Sequence, residues 1–147
     1  MSDIECTELF NKGIKHLASN DTLSALSCFE KAMMMKPNFS MQSYYAFCIA
    51  KERGQFQRAI KLCKNAIMQQ PANSSHYLNL GKIYLLLNNK AEAINVFREG
   101  LNHETKQEIV EELNKLGTRK PPIIPFLKRS NSINKFLGVL LKLLKLR

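Results

Sequence analysis

The chain aligns with itself at an offset of 34 residues, and this repeat constrains its fold more than any other feature. Four classes of position stay in register over three copies: Ala25, Ala59 and Ala93; Leu26, Ile60 and Ile94; Phe29, Cys63 and Phe97; Ala32, Ala66 and Gly100. Pro37 and Pro71 also match, and Thr105 stands where a third proline would be. A period of this length indicates a solenoid of stacked supersecondary units.

Each unit reads as a helical hairpin. The alanines are small where two helices approach, and the prolines end the second helix of a unit because proline cannot continue it. Asn20, Gly54 and Asn88 recur at the turn inside each hairpin and tolerate a left-handed backbone. Ser40 and Ser74 are predicted helix N-caps. The predicted helices are 4–18, 22–35, 40–53, 56–69, 74–87, 90–102 and, as a terminal cap, 105–116.

The three copies resemble the tetratricopeptide repeat over about residues 6–107. The third copy carries Tyr77, Leu80, Gly81, Tyr84, Ala93, Phe97 and Gly100, and the first carries Leu9, Gly13, His16, Ala25, Phe29, Ala32 and Pro37. The second copy matches the pattern less well: its first helix has Ser43, Ala46, Phe47 and Ala50, but its second helix keeps Ala59, Ala66 and Pro71. The resemblance implies an all-α, right-handed solenoid of three helix pairs plus a capping helix.

In that family the first helix of each repeat lines a concave groove that binds peptides. The resemblance therefore places the lining at Phe10, Ile14, Leu17, Met41, Tyr44, Tyr45, Cys48, Lys51, Leu78, Asn79, Lys82 and Leu85. These positions are mainly apolar, which favours an occupant. Packing between helices is the alternative for any one of them.

One well-known member type of the family holds a C-terminal carboxylate with basic and amide side chains at fixed groove positions. In this chain those positions are Phe10, Ile14, Tyr45, Ser75 and Asn79. None of the five supplies a cation. The resemblance therefore argues against binding of a chaperone tail by that clamp.

The net charge of +10 is concentrated at one end of the chain. Residues 119–147 contain eight basic residues and no acidic one, so residues 1–118 are nearly neutral. The basic segment lacks the interleaved aromatic residues of a base-stacking surface, which disfavours nucleic acid as a partner.

The four cysteines and three histidines form no metal-ligand pattern, and neither a cofactor nor a disulfide framework is expected.

The segment after Gly117 contains Pro121, Pro122 and Pro125, which favour an extended, polyproline-like connector. Its R-x-x-P-x-x-P pattern matches the kind that SH3 domains bind, although a rigid connector explains it as well. Residues 131–147 form an amphipathic pattern with a lysine stripe. The residues expected to dock the tail are Ile123, Ile124, Phe126, Phe136, Leu137, Leu140 and Leu144.

Four surfaces could cover the apolar side of this tail: the chain's own repeat body, a sister chain in a homo-oligomer, an anionic membrane and a partner protein.

The expected division of the chain is a repeat domain at 1–117, a connector at 118–130 and a basic helix at 131–147. No catalytic constellation is present, so the function expected is that of a non-enzymatic protein-interaction adaptor, with the tail as one candidate occupant of its groove. The alternative is a peripheral membrane protein recruited by the tail helix. An acidic N-terminus and short apolar runs lead us to expect a cytoplasmic protein.

Overall fold

The computed structural model describes residues 2–117 and 132–144, and these residues form eight α-helices. The helices are α1 (Ser2–Ala18), α2 (Thr22–Met35), α3 (Phe39–Arg53), α4 (Phe56–Gln69), α5 (Ser74–Leu86), α6 (Lys90–His103), α7 (Gln107–Lys115) and α8 (Ser132–Leu143). The chain divides into two compact units, Met1–Leu116 and Gly117–Arg147. The predicted all-α architecture of helix pairs is confirmed. The predicted connector, with its proline pattern, lies outside the described residues.

The turn within each hairpin has the backbone conformation that its sequence predicts. Asn20, Gly54 and Asn88 have φ angles of 61°, 64° and 57°. Asparagine and glycine tolerate this left-handed region better than other residues do. The periodic turn is therefore confirmed in all three repeats.

The predicted N-caps Ser40 and Ser74 are wrong by one or two positions. Asn38 and Asn73 cap α3 and α5, and their side chains accept hydrogen bonds from the second backbone N–H of each helix. Ser40 lies inside α3, where its hydroxyl donates to Gln70 Oε1 at 3.0 Å. Asparagine is as good an N-cap as serine, so the sequence alone did not separate the two choices.

Glycine and phenylalanine pack against each other within the first and third hairpins. A β-carbon on Gly13 or on Gly81 would overlap the ring of Phe29 or Phe97, respectively. Both rings are fully buried. The absence of a side chain on α1 and α5 is thus what lets α2 and α6 insert an aromatic ring between the helices.

The middle hairpin exchanges these sizes. Its first helix carries Phe47 where the other repeats have glycine, and its second helix carries Cys63 where they have phenylalanine. Cys63 is fully buried, whereas Phe47 is half-buried. The aromatic ring of this repeat therefore comes from α3 and reaches partly into solvent.

The helix after the third repeat packs onto the end of the solenoid. Ile109 is fully buried and Leu113 is 9% exposed, in a cluster with Leu78, Ala93 and Phe97. The remaining face of α7 carries acidic and basic side chains. This is the arrangement expected of a terminal helix that covers an otherwise exposed apolar face.

α8 presents apolar side chains to its surroundings. Phe136, Val139 and Leu143 are 68%, 60% and 75% exposed. Among the described residues, no helix has both the length and the apolar content needed to cross a membrane.

Candidate functional site

A groove of about 520 Å³ crosses the first helices of the repeats and reaches the capping helix. Its apolar lining is Ile14, Leu17, Ala18, Tyr44, Phe47, Leu78, Leu85 and Leu86; its polar lining is Asn20, Thr22, Lys51, Asn79, Lys82, Lys106, Glu108 and Glu112. α1, α3 and α5 supply most of these side chains because the first helix of each hairpin faces the concave side of the solenoid.

The structure places eight of the twelve expected lining residues around this groove. They are Ile14, Leu17, Tyr44, Lys51, Leu78, Asn79, Lys82 and Leu85. Leu78 and Asn79 are only 5% and 2% exposed, so they form its floor. The other side chains form the walls and are at least partly accessible.

The remaining four expected residues lie elsewhere. Cys48 has no exposed surface and Met41 is 6% exposed, so both are core residues and not lining residues. Phe10 packs on Phe29 and Tyr44, at ring-centroid distances of 5.8 and 5.5 Å. Tyr45 packs under the guanidinium of Arg58, 5.8 Å from its centroid. Helical spacing identifies an inward-facing side chain but does not separate the groove from the layer beneath it.

Several lining residues were not expected from the sequence. Phe47 is one of them, and its exchange of size with Cys63 relative to the other repeats is the sequence signal that could have identified it. Lys106, Glu108 and Glu112 belong to the capping region, which the sequence predicts only as a terminal helix. Their place at the groove depends on how α7 docks, and no periodicity encodes that angle.

The charged side chains of the groove fall into two groups. Both acids have a basic neighbour: Glu108 Oε1 lies 4.0 Å from Lys106 Nζ, and Glu112 Oε1 lies 3.0 Å from Lys115 Nζ. Lys51 and Lys82, by contrast, form no ion pair within 4.0 Å among the described residues. The Lys51 ammonium instead donates to the side-chain oxygen of Asn20 at 3.2 Å.

The two lysines share one aromatic neighbour. Lys51 Nζ lies 6.0 Å and Lys82 Nζ lies 5.6 Å from the centroid of the Phe47 ring. Such contacts stabilise a cation through the quadrupole of the ring. Desolvation by burial lowers the pKa of Lys82, and the nearby acids Glu112 and Glu108 oppose this shift only in part.

A second polar cluster lies beneath the groove. Ser43 Oγ is 2.8 Å from His76 Nδ1, and His76 Nε2 is 3.0 Å from Gln70 Oε1. Asn79 donates to the Ser43 hydroxyl at 3.1 Å. Ser43 and His76 have no exposed surface, so this serine–histidine pair is unavailable to a substrate and acts as a link between α3 and α5.

The described residues contain no group of three or more His, Cys, Asp or Glu side chains that could hold a metal ion. All four cysteines are free and buried. Burial raises the pKa of the Cys48 thiol to about 12 and raises that of Cys63 further. These cysteines behave as small core residues.

Four of the expected tail-docking residues can be placed on the structure. Phe136, Leu140 and Leu144 are exposed along the second unit, and Leu137 is half-buried. Ile123, Ile124 and Phe126 lie outside the described residues.

Residues 50–113 match the family model of the tetratricopeptide repeat. None of the curated protein sequences compared with the chain matches it.

Several solved structures share the fold. The first TPR of Spaghetti (RPAP3) bound to HSP90 peptide SRMEEVD is 23% identical, with a TM-score of 0.58 over 77% of this chain and 93% of that one. The second TPR domain of human RPAP3, in complex with HSP70 peptide SGPTIEEVD, is 19% identical, with a TM-score of 0.58 over 81% and 100%. The Sgt2 TPR domain of Aspergillus fumigatus is 17% identical, with a TM-score of 0.61 over 89% and 93%. Residues 50–113 thus match the tetratricopeptide-repeat family, and the repeated hairpins and these structures show that the repeat body has the fold of tetratricopeptide-repeat domains.

Proposed function

We propose that the chain is a non-enzymatic protein-interaction adaptor whose groove binds a peptide segment of a partner protein. The observation that carries this proposal is the groove itself: its volume is about 520 Å³, and half of its lining residues are apolar. Leu86, on its wall, is 39% exposed. Apolar side chains gathered in a concave surface favour an occupant that removes them from water.

The structural neighbours support binding of a peptide but not the identity of the peptide. Two of them were solved with peptides from HSP90 and HSP70. Their similarity to this chain, 23% and 19% identity, extends to the fold alone. At the positions where a terminal-carboxylate clamp has basic and amide side chains, this chain has Phe10, Ile14, Tyr45, Ser75 and Asn79, none of which is a cation. The ligand proposed here is therefore a different peptide.

The chain's own tail is a competing occupant of the groove. Its apolar side chains, such as Phe136 and Leu140, would suit an apolar surface. Its charge argues against this docking, because residues 119–147 carry eight basic residues and the groove already contains Lys51 and Lys82, which form no ion pair within 4.0 Å among the described residues. We therefore favour a segment of another protein.

A peptide-display selection on the immobilised full-length protein tests the proposal. We expect the wild type to enrich a set of related peptides, and Leu86→Gln to lose most of that enrichment. Leu87→Gln is the matched control, because Leu87 is also 39% exposed but does not line the groove. Equal effects of the two substitutions, or no enrichment by the wild type, would contradict the proposal.

We propose recruitment to an anionic membrane surface as a second candidate function, carried by α8. This helix combines exposed Phe136, Val139 and Leu143 with a segment that is basic and free of acids. Basic amphipathic helices bind anionic surfaces by burying their apolar face among the lipids, and each basic residue near the surface adds about 1 kcal/mol.

Co-sedimentation with vesicles of phosphatidylserine and phosphatidylcholine tests this second function. Phe136→Glu should release the full-length protein from the vesicles. Ile4→Glu on α1 is the matched control, because both side chains are 68% exposed. A wild-type protein that stays in the supernatant would exclude the membrane function.

A further inference from the structure

The exchange of residue sizes in the middle repeat gives the groove an aromatic ring that the other repeats do not provide. In the first and third repeats the corresponding position is glycine, and the hairpin's phenylalanine lies in the core. In the second repeat Cys63 takes the core position and Phe47 lines the groove. The centre of the groove therefore carries a phenyl ring because of this exchange.

Two ammonium groups flank that ring. Lys82 on α5 and Lys51 on α3 lie 5.6 and 6.0 Å from the ring centroid, so two neighbouring repeats present their cations at one place. We call Phe47, Lys51 and Lys82 the cation platform. None of these three residues stands at a position of the terminal-carboxylate clamp.

Among the described residues, neither lysine of the cation platform forms an ion pair within 4.0 Å, although Glu112 and Glu108 act on the charge of Lys82 from farther away. The two acids that line the groove, Glu108 and Glu112, lie within ion-pair distance of Lys106 and Lys115. The Lys51 ammonium has a neutral acceptor, the amide oxygen of Asn20. Both ammonium groups thus lie within 6.0 Å of one ring centroid, and each acid that lines the groove has a closer basic neighbour than either of them.

The surroundings of Lys82 also disfavour its positive charge. Burial disfavours its charged form and lowers its pKa; attraction to Glu112 and Glu108 opposes this shift in part, and repulsion from Lys115 and Lys51 adds to it. A carboxylate within reach of both lysines would favour their charged forms and so offset the burial and the repulsion. It would also gain from the partly desolvated setting, where charge-assisted hydrogen bonds are stronger than at an open surface.

We infer that the cation platform binds the carboxylate of an acidic side chain within the partner peptide. The apolar neighbours of that acid would contact Leu85 and Leu86 on one side and Ile14 and Leu17 on the other. The ligand class is therefore a peptide with an internal Asp or Glu among apolar residues. This inference rests on the proposed function and specifies the ligand of the same groove.

The test begins with the peptides enriched by the full-length wild type. The tightest peptide is synthesised with an amidated C-terminus, in its original form and with its acidic residue replaced by the corresponding amide. Fluorescence anisotropy then gives the affinity of both forms for wild type and for Lys51→Gln/Lys82→Gln. The matched control is Lys61→Gln/Lys64→Gln, which removes two exposed lysines from α4 outside the groove.

We expect the acid-to-amide change to weaken binding to the wild type and to the control about tenfold, the scale of one charge-assisted hydrogen bond. The same change should have little effect on the variant that lacks Lys51 and Lys82. This pattern would establish that the two lysines and the acid act on each other.

Three results would overturn the inference while leaving peptide binding intact. They are enriched peptides without acidic residues, an equal cost of the acid-to-amide change in all three proteins, and binding that requires a free C-terminal carboxylate. Enrichment of no peptide at all would instead remove the proposed function itself. The two failures are therefore distinguishable.

Discussion

The hydroxyl of Ser43 lies 2.8 Å from Nδ1 of His76, and neither side chain is exposed to solvent. The other ring nitrogen faces the amide oxygen of Gln70, which can only accept a hydrogen bond. Nε2 therefore carries the proton, and Nδ1 accepts from Ser43. The Ser43 oxygen in turn accepts from Asn79, so the network is complete with a neutral imidazole.

This network predicts how stability depends on pH. Burial lowers the pKa of His76 from 6.5 to about 4. The unfolded chain consequently binds a proton below pH 6.5 that the folded chain does not bind until near pH 4. The contribution of His76 to the free energy of unfolding is fully present above pH 6.5 and is lost as the pH is lowered towards 4. This loss amounts to about 2 kcal/mol between pH 7.5 and 5.

Urea unfolding at pH 7.5 and 5 measures this difference. His76→Gln should lower the free energy of unfolding at both pH values and remove most of the pH dependence. His103→Gln, which changes an exposed histidine, should retain it. A pH dependence that is the same in all three proteins would show that His76 is not its source.

The packing of Gly81 against Phe97 predicts the sign of a substitution that helix propensity alone would predict wrongly. Alanine is a better helix former than glycine by about 1 kcal/mol. A β-carbon at position 81, however, would overlap the Phe97 ring, and overpacking of a core costs about 1–3 kcal/mol. We expect Gly81→Ala to destabilise the protein.

Denaturant unfolding in a double-mutant cycle checks this prediction. Phe97→Leu should lower stability by itself, because it leaves space in the core. In that background Gly81→Ala should cost less than it does in the wild type. A stabilising effect of Gly81→Ala in the wild type would refute the close contact.

The size exchange in the middle repeat predicts a compensating pair of substitutions. Cys63 is fully buried, so Cys63→Phe would overpack the hairpin and cost about 2–3 kcal/mol. Adding Phe47→Gly restores the pairing that the other two repeats use and should recover part of the loss. Thermal unfolding of the single and double variants measures the recovery. Additive losses would mean that the two positions do not share one space.

Gly54 predicts a cost that arises from the backbone alone. Its φ of 64° is strained for a residue with a β-carbon, and the nearest atom that this carbon would meet is 4.0 Å away, on Phe56. Gly54→Ala should therefore cost about 1–2 kcal/mol, the scale of left-handed strain. Gly54→Asn is the control, because Asn20 and Asn88 adopt the same conformation. Its cost, measured by the urea midpoint, should be clearly smaller.

Much of the fold follows from the sequence because the signals are periodic. Alanine, glycine and proline recur at fixed places, and the first seven helices begin and end within two residues of the predicted bounds. The choice between Asn38 and Ser40 as N-cap was not determined, because both residue types can fill that role. The positions of the helices are thus indicated by signals that recur in every repeat, whereas the choice of N-cap residue is not.

The groove was harder to predict than the fold. Spacing showed which side of a helix faces inwards, but Cys48 lies one layer deeper than the groove that Lys51 reaches. The acids Glu108 and Glu112 enter the site through the docking of α7, which involves contacts distant in sequence. Depth and docking angle are tertiary properties, and a pattern along one chain does not contain them.

The most direct measurement of the central claim is the set of intermolecular NOEs between a display-selected peptide and the isotope-labelled full-length protein. Peptide binding in the groove predicts contacts from peptide protons to the Phe47 ring and to the methyl groups of Leu85 and Leu86. Contacts confined to the outer helices α2, α4 and α6, or to α8, would contradict it.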